Sequence, residues 1–317
     1  MKIVVLDAFT VNPGDIDWKP LDKLGELVIY DRTPKELIVE RCRGAEMVLT
    51  NKVILDSEIL NQLPRLLYIG VLATGFNVVD LETAARQNVV VTNIPAYSTD
   101  SVAQMTFAHI LNIYNRVDDY ACMNRNGKWQ NSADFTYYNH YYHELAGKTI
   151  GIVGLGNTGM ATARIAIAFG MKVKALTSKT PDQLPQGIKS VEIDDLFENS
   201  DIISLHCPLT DETRHIVNKQ RLDAMKENAV IINTGRGPLV NDADLAEALN
   251  NRRILAYGAD VITQEPPTNG NPLLHAKNAF FTPHIAWATS EARIRLINIA
   301  AQNVKAFIKG HPENVVT

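Results

Sequence analysis

Short apolar runs recur along this chain, separated by polar or amphipathic stretches of about helical length. In the first hundred residues, runs rich in Ile, Leu and Val fall at 3–6, 27–30, 47–50, 67–71 and 89–92. They lack the in–out alternation of a half-exposed sheet, so they predict strands buried on both faces. Between them, segments such as 34–43 and 79–87 carry apolar residues at helical spacing. Strands alternating with helices predict a parallel sheet covered on both sides. The same alternation returns later, with strands predicted at 149–153, 172–176, 202–206, 229–233, 254–258 and 280–282. Six such strands are what a doubly wound domain requires.

Between the two halves, residues 99 to about 125 read as one long helix. It is capped by Ser98, Thr99 or Asp100, with an apolar stripe through Val102, Met105, Ile110, Ile113 and Val117. The next stretch, 126–142, is rich in Asn and Tyr, carries Trp129, and ends in Tyr137-Tyr138-Asn139-His140-Tyr141-Tyr142. Exposed aromatics with polar neighbours suit a partner surface or a loop over a site, and equally a packed irregular loop. The final amphipathic helix, 289–309, is expected to fold back on the first half and make that domain discontinuous. The resulting division is a domain of residues 1–98 plus 289–317 and a domain of residues 99–288.

One stretch organises the second half. The run Thr149-Ile150-Gly151-Ile152-Val153 ends in Gly154-Leu155-Gly156-Asn157-Thr158-Gly159 and continues into a helix-forming segment stopped by Gly170. Strand, glycine turn and helix come here in the order a dinucleotide site needs, although glycine turns also serve as plain structural connectors. Gly154 allows the tight turn, Gly156 lets the backbone approach a pyrophosphate, and Gly159 lets the helix pack close to the strand. With Asn157 and Thr158 at the helix start, free N–H groups and a partial positive charge face the phosphates. The first half has no such turn. Its strand-end loops, Thr50-Asn51-Lys52 and Ala73-Thr74-Gly75-Phe76-Asn77, are either anion-binding nests or ordinary turns.

Composition narrows the picture. Hydrophobic residues at 46% and charged residues at 21% are those of a globular domain with a sizeable core, and a net charge of −4 offers no basic footprint for nucleic acid. No apolar run reaches membrane-spanning length, and Met1–Asp7 reads as a strand meeting an acid, not as a secretory signal. Cys42, Cys122 and Cys207 are odd in number and far apart, which fits reduced thiols in a cytoplasmic protein and no metal cluster.

Three charged residues fall just past predicted strand ends in the second half: Arg236 in Gly235-Arg236-Gly237, Glu265 in Glu265-Pro266-Pro267, and His284 after Pro283. Taken singly, each also suits a solvated or structural role. Together on one sheet edge they make a coherent site. Hydride transfer between a nicotinamide and a carbonyl carbon leaves an oxyanion that needs a proton donor titrating near neutrality, which histidine supplies. A carboxylate on the other ring nitrogen fixes the tautomer, the part suited to Glu265. An arginine fork can bind a substrate carboxylate and polarise the adjacent carbonyl, the part suited to Arg236. The flanking Gly235 and Gly237 would leave room for substrate.

At these residues the chain resembles the D-isomer-specific 2-hydroxyacid dehydrogenase family, near its glycerate dehydrogenase and hydroxypyruvate reductase members. The resemblance spans nearly the whole chain and rests on ordered motifs at 147–159, 206–210, 232–237, 258–261, 265–267 and 282–286. It implies a Rossmann cofactor domain inserted in a flavodoxin-like substrate domain. It also implies Arg236 as substrate-binding and catalytic, His284 as acid/base and Glu265 as its partner. By the same resemblance Asp260 lies near the nicotinamide amide, and His206, Cys207, Pro208, Thr234 and Gly235 line the cofactor. Thr74 and Gly75 would hold the substrate carboxylate by backbone N–H groups, with Asn51 nearby. A homodimer through the cofactor domains follows too, with loop 126–142 available to that contact. The expected substrate is a small 2-oxo or D-2-hydroxy acid, hydroxypyruvate/D-glycerate or glyoxylate/glycolate first. D-lactate- and phosphoglycerate-type relatives, or a dinucleotide-sensing binding protein on the same fold, are the alternatives.

The chain departs from the common pattern at one place. An acid usually stands about 20 residues past the glycines to bind the ribose 2′-OH of NAD. Here the strand ends Ala175-Leu176-Thr177-Ser178-Lys179, with Thr177 at the acid position. No carboxylate repels a 2′-phosphate there, and Ser178 and Lys179 could bind one. NADP(H), or dual use, is therefore expected over strict NAD(H), unless Asp182 folds back to the ribose.

Overall fold

In the computed structural model, residues 1–140 and 143–317 are described. The chain divides into two compact units, residues 1–98 with 287–317, and residues 99–286.

The first unit holds a five-stranded parallel sheet built from β1 (Lys2–Val5), β2 (Glu26–Ile29), β3 (Met47–Thr50), β4 (Tyr68–Val71) and β5 (Val90–Thr92). Their order is β2-β1-β3-β4-β5, the flavodoxin-like winding. Successive side chains point to opposite faces, and here both faces are covered. On one, Ile3, Val5, Met47, Leu49 and Tyr68 pack with Leu296, Ile297, Ala300 and Val304 of the helix Ser290–Ile308. On the other, Val4, Val48, Ile69 and Val91 pack with Ile59, Leu60 and Ala84. Two-sided burial is why these strands read as unbroken apolar runs. The C-terminal helix starts where Thr289 caps the Ala292 N–H, and Arg293 grips Asp15 with both guanidinium nitrogens at 2.6 Å. Beyond it, the Val316 N–H donates to Val91 O, adding the end of the chain to β5.

The second unit is a seven-stranded parallel sheet: β6 (Thr149–Val153), β7 (Lys172–Leu176), β8 (Ile188–Ser190), β9 (Ile202–Leu205), β10 (Val230–Asn233), β11 (Ala256–Ala259) and β12 (Ala279–Phe281). The order is β12-β11-β10-β9-β6-β7-β8. Chain direction across the sheet reverses between β6 and β9, so the crevice at their C-terminal ends is the switch point where ligands bind in such sheets. The glycine turn follows β6 and residues 206–208 follow β9.

Two expectations need correction. The sheet has seven strands where the pattern predicts six. The extra one, β8, is a three-residue edge strand paired only with β7, too short to show a period. The helix expected over 99–125 is two helices, Thr99–Asn115 and Val117–Arg125. The chain turns left-handed at Arg116 (φ 49°), whose guanidinium lies 4.5 Å from the centre of the Phe280 ring and donates to Asn278. The second helix therefore leaves the core. Val117, expected on the apolar stripe, is 70% exposed. In the following loop the Trp129 indole N–H donates to Phe135 O and the Tyr137 hydroxyl lies 2.5 Å from Asn124 Oδ1, while Trp129, Phe135 and Tyr138 remain exposed. Tyr141 and Tyr142 of the aromatic run lie outside the described residues. Among the described residues, no helix is long and apolar enough to cross a membrane, and no group of His, Cys, Asp and Glu could hold a metal ion.

Candidate active site

The glycine turn is built as its three positions demand. Gly154 has φ +93°, and a Cβ there would stand 2.7 Å from the Cys207 backbone nitrogen. A Cβ on Gly159 would stand 2.1 Å from Gly154 O, so only glycine lets the helix Asn157–Ala168 seat on its strand. Gly156, at the N-cap, faces open space and no side chain caps the helix. The N–H groups of the first turn are thus left for a ligand. An uncapped helix start under a bare glycine fits a dinucleotide pyrophosphate.

Around the turn, the expected cofactor-lining residues separate into displayed and buried ones. Thr177, Ser178 and Lys179 follow β7 at the surface, where Thr177 Oγ1 accepts the Lys179 N–H at 3.2 Å. Asp182 lies on the exposed turn Pro181–Gln183. His206 Nε2 lies 2.8 Å from Ser204 Oγ, and burial pushes its imidazole down to about 4, so it stays neutral at neutral pH. Burial likewise pushes the Cys207 thiol up to about 11. Pro208 is exposed, and Gly235 is half-buried. The Thr234 hydroxyl pairs with that of Thr106 at 3.0 Å.

Parallel β10, β11 and β12 deliver Arg236, Glu265 and His284 to one edge of the sheet. Asn233 shapes the first loop, its amide donating to Arg236 O (2.9 Å) and accepting from the Gly235 N–H (3.1 Å). Gly237 does not open room for substrate, as the sequence suggests. A Cβ there would stand 2.1 Å from Ile262 C and O, so its bareness presses the Arg236 loop onto the backbone that leads to Glu265. Arg236 is exposed and donates one N–H to its neighbour Gly235 O (2.8 Å). Among the described residues, no carboxylate lies within ion-pair distance of it.

His284 adopts φ +54° and donates its N–H to Asp260 O at 2.8 Å. Its Nδ1 lies 2.5 Å from Glu265 Oε2, and Glu265 Oε1 accepts the Ile262 N–H at 3.1 Å. A carboxylate only accepts, so Nδ1 carries the proton of this bond, which sets the tautomer of the ring. Asp260 is 1% exposed, with Oδ1 accepting from Thr282 Oγ1 (2.6 Å) and the Ile285 N–H (2.9 Å), and Oδ2 from the Ala286 N–H (2.7 Å). The resemblance implies a nicotinamide contact for this residue. What the structure displays is a carboxylate bracing the loop on either side of His284.

In the first unit, Asp7 at the end of β1 collects the N–H groups of Asn51 (2.8 Å), Lys52 (2.6 Å) and Val53 (3.1 Å), which sets the loop after β3. Asn51 itself is 3% exposed and its amide donates to Leu72 O at 2.7 Å. Its side chain braces the loop from within. The Thr74 hydroxyl donates to Ile94 O. Among the described residues, the N–H groups of Thr74 and Gly75 donate no hydrogen bond, as an anion-binding turn requires. Sequence reasoning missed Asp7 and Asn233, which follow or end apolar strands and could have been sought as strand-end acids and amides.

A family model described as "D-isomer specific 2-hydroxyacid dehydrogenase, NAD binding domain" matches residues 107–286. The chain is 45% identical over its full length to a hydroxypyruvate reductase of Blautia hydrogenotrophica, covering 99% of that protein. It is 41% identical to a glycerate dehydrogenase of Methylorubrum extorquens, over 90% of this chain and 89% of that one. Among solved structures, the TT0316 protein from Thermus thermophilus superposes with a TM-score of 0.88 at 33% identity, each chain covered in full.

Proposed function

Because this chain belongs to the D-isomer specific 2-hydroxyacid dehydrogenases, we propose that it interconverts hydroxypyruvate and D-glycerate, accepts glyoxylate as a second substrate, and prefers NADP(H) to NAD(H). The hydroxypyruvate reductase and glycerate dehydrogenase names of its relatives support the substrate. The observation that carries the chemistry is the Glu265–His284 pair, held at 2.5 Å on the same sheet edge as an arginine that has no carboxylate partner among the described residues.

The Gly154–Gly159 turn would hold the pyrophosphate of a nicotinamide dinucleotide, which would supply or accept the hydride. The protein's own residues do the rest. Arg236 binds the substrate carboxylate with its fork and polarises the neighbouring carbonyl. His284 Nε2 gives a proton to the oxygen as negative charge develops there, and takes one back in the reverse reaction. Glu265 keeps the ring oriented and stabilises its charged form.

The cofactor preference rests on half-buried Thr177 and exposed Ser178 and Lys179, which follow β7 with no acid at the position that commonly binds the ribose. Thr177→Asp is expected to move the ratio of kcat/KM toward NADH by about tenfold or more, since like charges brought together cost several kcal/mol. An unchanged ratio would remove residue 177 from the ribose site. The test of the whole reading is nicotinamide absorbance with hydroxypyruvate, glyoxylate and pyruvate, each against NADH and NADPH. Fast NADPH oxidation with hydroxypyruvate supports both parts. Preference for NADH overturns the cofactor assignment alone. No turnover with any pair, with dinucleotide binding intact, overturns the reaction.

The assembly we propose is a cytoplasmic homodimer joined through the 99–286 unit. Exposed Trp129, Phe135 and Tyr138 beside the helix Val117–Arg125 support it, as does the absence of disulfides among the described residues. Sedimentation equilibrium should give a dimer that Trp129→Ser with Phe135→Ser converts to monomer; a dimer unaffected by the pair would place the contact elsewhere.

A further inference from the structure

His109 lies on the buried face of the helix Thr99–Asn115, 5% exposed, with no place in the site described above. Its Nε2 is 3.1 Å from Thr282 Oγ1. That hydroxyl lies 2.6 Å from Asp260 Oδ1, and the same carboxylate holds the N–H groups of Ile285 and Ala286. Proton counting orders the chain. Thr282 has one hydroxyl proton and Asp260 can only accept, so the proton points to Asp260. The Thr282 oxygen is then an acceptor, and His109 must donate from Nε2. The helix is pressed against β11 to make this reach possible: a Cβ on Gly258 would stand 2.9 Å from His109 Cβ.

We infer that His109 is a positioning residue for the proposed reaction, acting through Thr282 and Asp260 to fix the loop that aims His284. The inference rests on the reading of His284 as the proton donor. Burial lowers the His109 pKa, against an opposing pull from Asp260, and so keeps the ring neutral. A neutral ring with Nε2–H supplies the one donor that the relay needs without placing a second charge beside the carboxylate. The ends of the relay do different work. Thr282 and Asp260 flank His284 in the fold, whereas His109 anchors them to a helix that the loop itself does not include. Removing the His109 donor leaves the Thr282 hydroxyl free to rotate and the Asp260 carboxylate with one fewer fixed neighbour, so the loop should sample more orientations.

The test compares His109→Leu, His109→Gln, Thr282→Val and the double variant His109→Leu/Thr282→Val, with active-site content set by cofactor titration. Glutamine retains a side-chain N–H near the Nε2 position, and leucine does not. In the leucine variant kcat for oxo-acid reduction should fall about tenfold or more while KM for both substrates stays within about threefold, the pattern of an interaction realised at the transition state. The glutamine variant should recover most of the loss. Hydrogen exchange at the Ile285 and Ala286 amides should quicken about tenfold in the leucine variant, with exchange in β6 and β9 unchanged. The double variant should lose no more than Thr282→Val alone. A leucine variant with wild-type exchange at these two amides, equal losses in the leucine and glutamine variants, or additive losses in the double variant would each overturn the relay. Should the wild-type protein reduce no oxo acid, the proposed reaction fails, while amide exchange still decides whether His109 holds the loop.

Discussion

His284→Ala should lower kcat by about 10²–10⁴-fold, the usual worth of a positioned general acid, while dinucleotide affinity stays close to that of the native protein. The split follows from where the residue sits. His284 extends from the end of β12, four strands from β6 and the glycine turn that would hold the pyrophosphate, so under the proposed reaction its ring would bear on the reacting oxygen and not on the pyrophosphate. Glu265 loses its partner in this variant but keeps the Ile262 N–H, and the loop keeps its Asp260 brace. The backbone should therefore survive the change. Stopped-flow reduction of oxo acid alongside a fluorescence titration of bound NADPH would read both quantities. A variant that turns over at native speed would remove His284 from the chemistry. One that loses cofactor affinity in step with kcat would make it a binding residue.

Arg236→Lys should raise KM for the oxo acid and lower kcat/KM by about 10–150-fold, which is one charge-assisted hydrogen bond of about 1.5–3 kcal/mol converted at 1.4 kcal/mol per decade. Lysine keeps the charge but not the planar fork, so it can neutralise a carboxylate without also gripping the carbonyl oxygen. Arg236 is exposed, and its loop is held by Asn233 and by the bare Cα of Gly237 against Ile262. None of those supports depends on the guanidinium, so stability should be unchanged and the whole effect kinetic. Steady-state constants with hydroxypyruvate, together with the melting temperature, test this. If the lysine variant matches the native kcat/KM, Arg236 acts as a point charge at most. If it melts substantially lower, its role is structural.

The sheets are legible in the sequence because burial on both faces leaves a one-dimensional trace. Strand stretches such as Met47–Leu49 and Val230–Ile232 are apolar at consecutive positions, and no helix of that length needs such a run. The glycine turn is legible for a similar reason, since Gly154 and Gly159 stand where a Cβ would strike backbone. Other features leave no such trace. Strand β8 is three residues with a lysine at its centre, and its strand character comes from pairing with β7. The break at Arg116 depends on an aromatic ring more than 160 residues later in the chain, which no local pattern reports. Asn51 follows a strand end, a position that suggests display, yet its amide turns inward to Leu72 O. His109 looks like one more residue of a buried helix stripe until the distance to Thr282 is known. Local periodicity reports which residues are buried; it does not report which buried polar atom meets which.

The discontinuity of the first unit sets a timetable for biosynthesis. Its sheet comes from the first 98 residues, but one face of that sheet is closed by Leu296, Ile297, Ala300 and Val304 from the other end of the chain. On a ribosome adding about 5–20 residues per second, the intervening 99–286 segment takes roughly 10–40 s to make. During that interval Ile3, Val5, Met47, Leu49 and Tyr68 have no helix to cover them. The contiguous unit, all of whose strands arrive in one stretch, can finish folding first. The part of the chain that is translated earliest thus completes its core last, and it is the part for which a nascent-chain chaperone would have the most to protect.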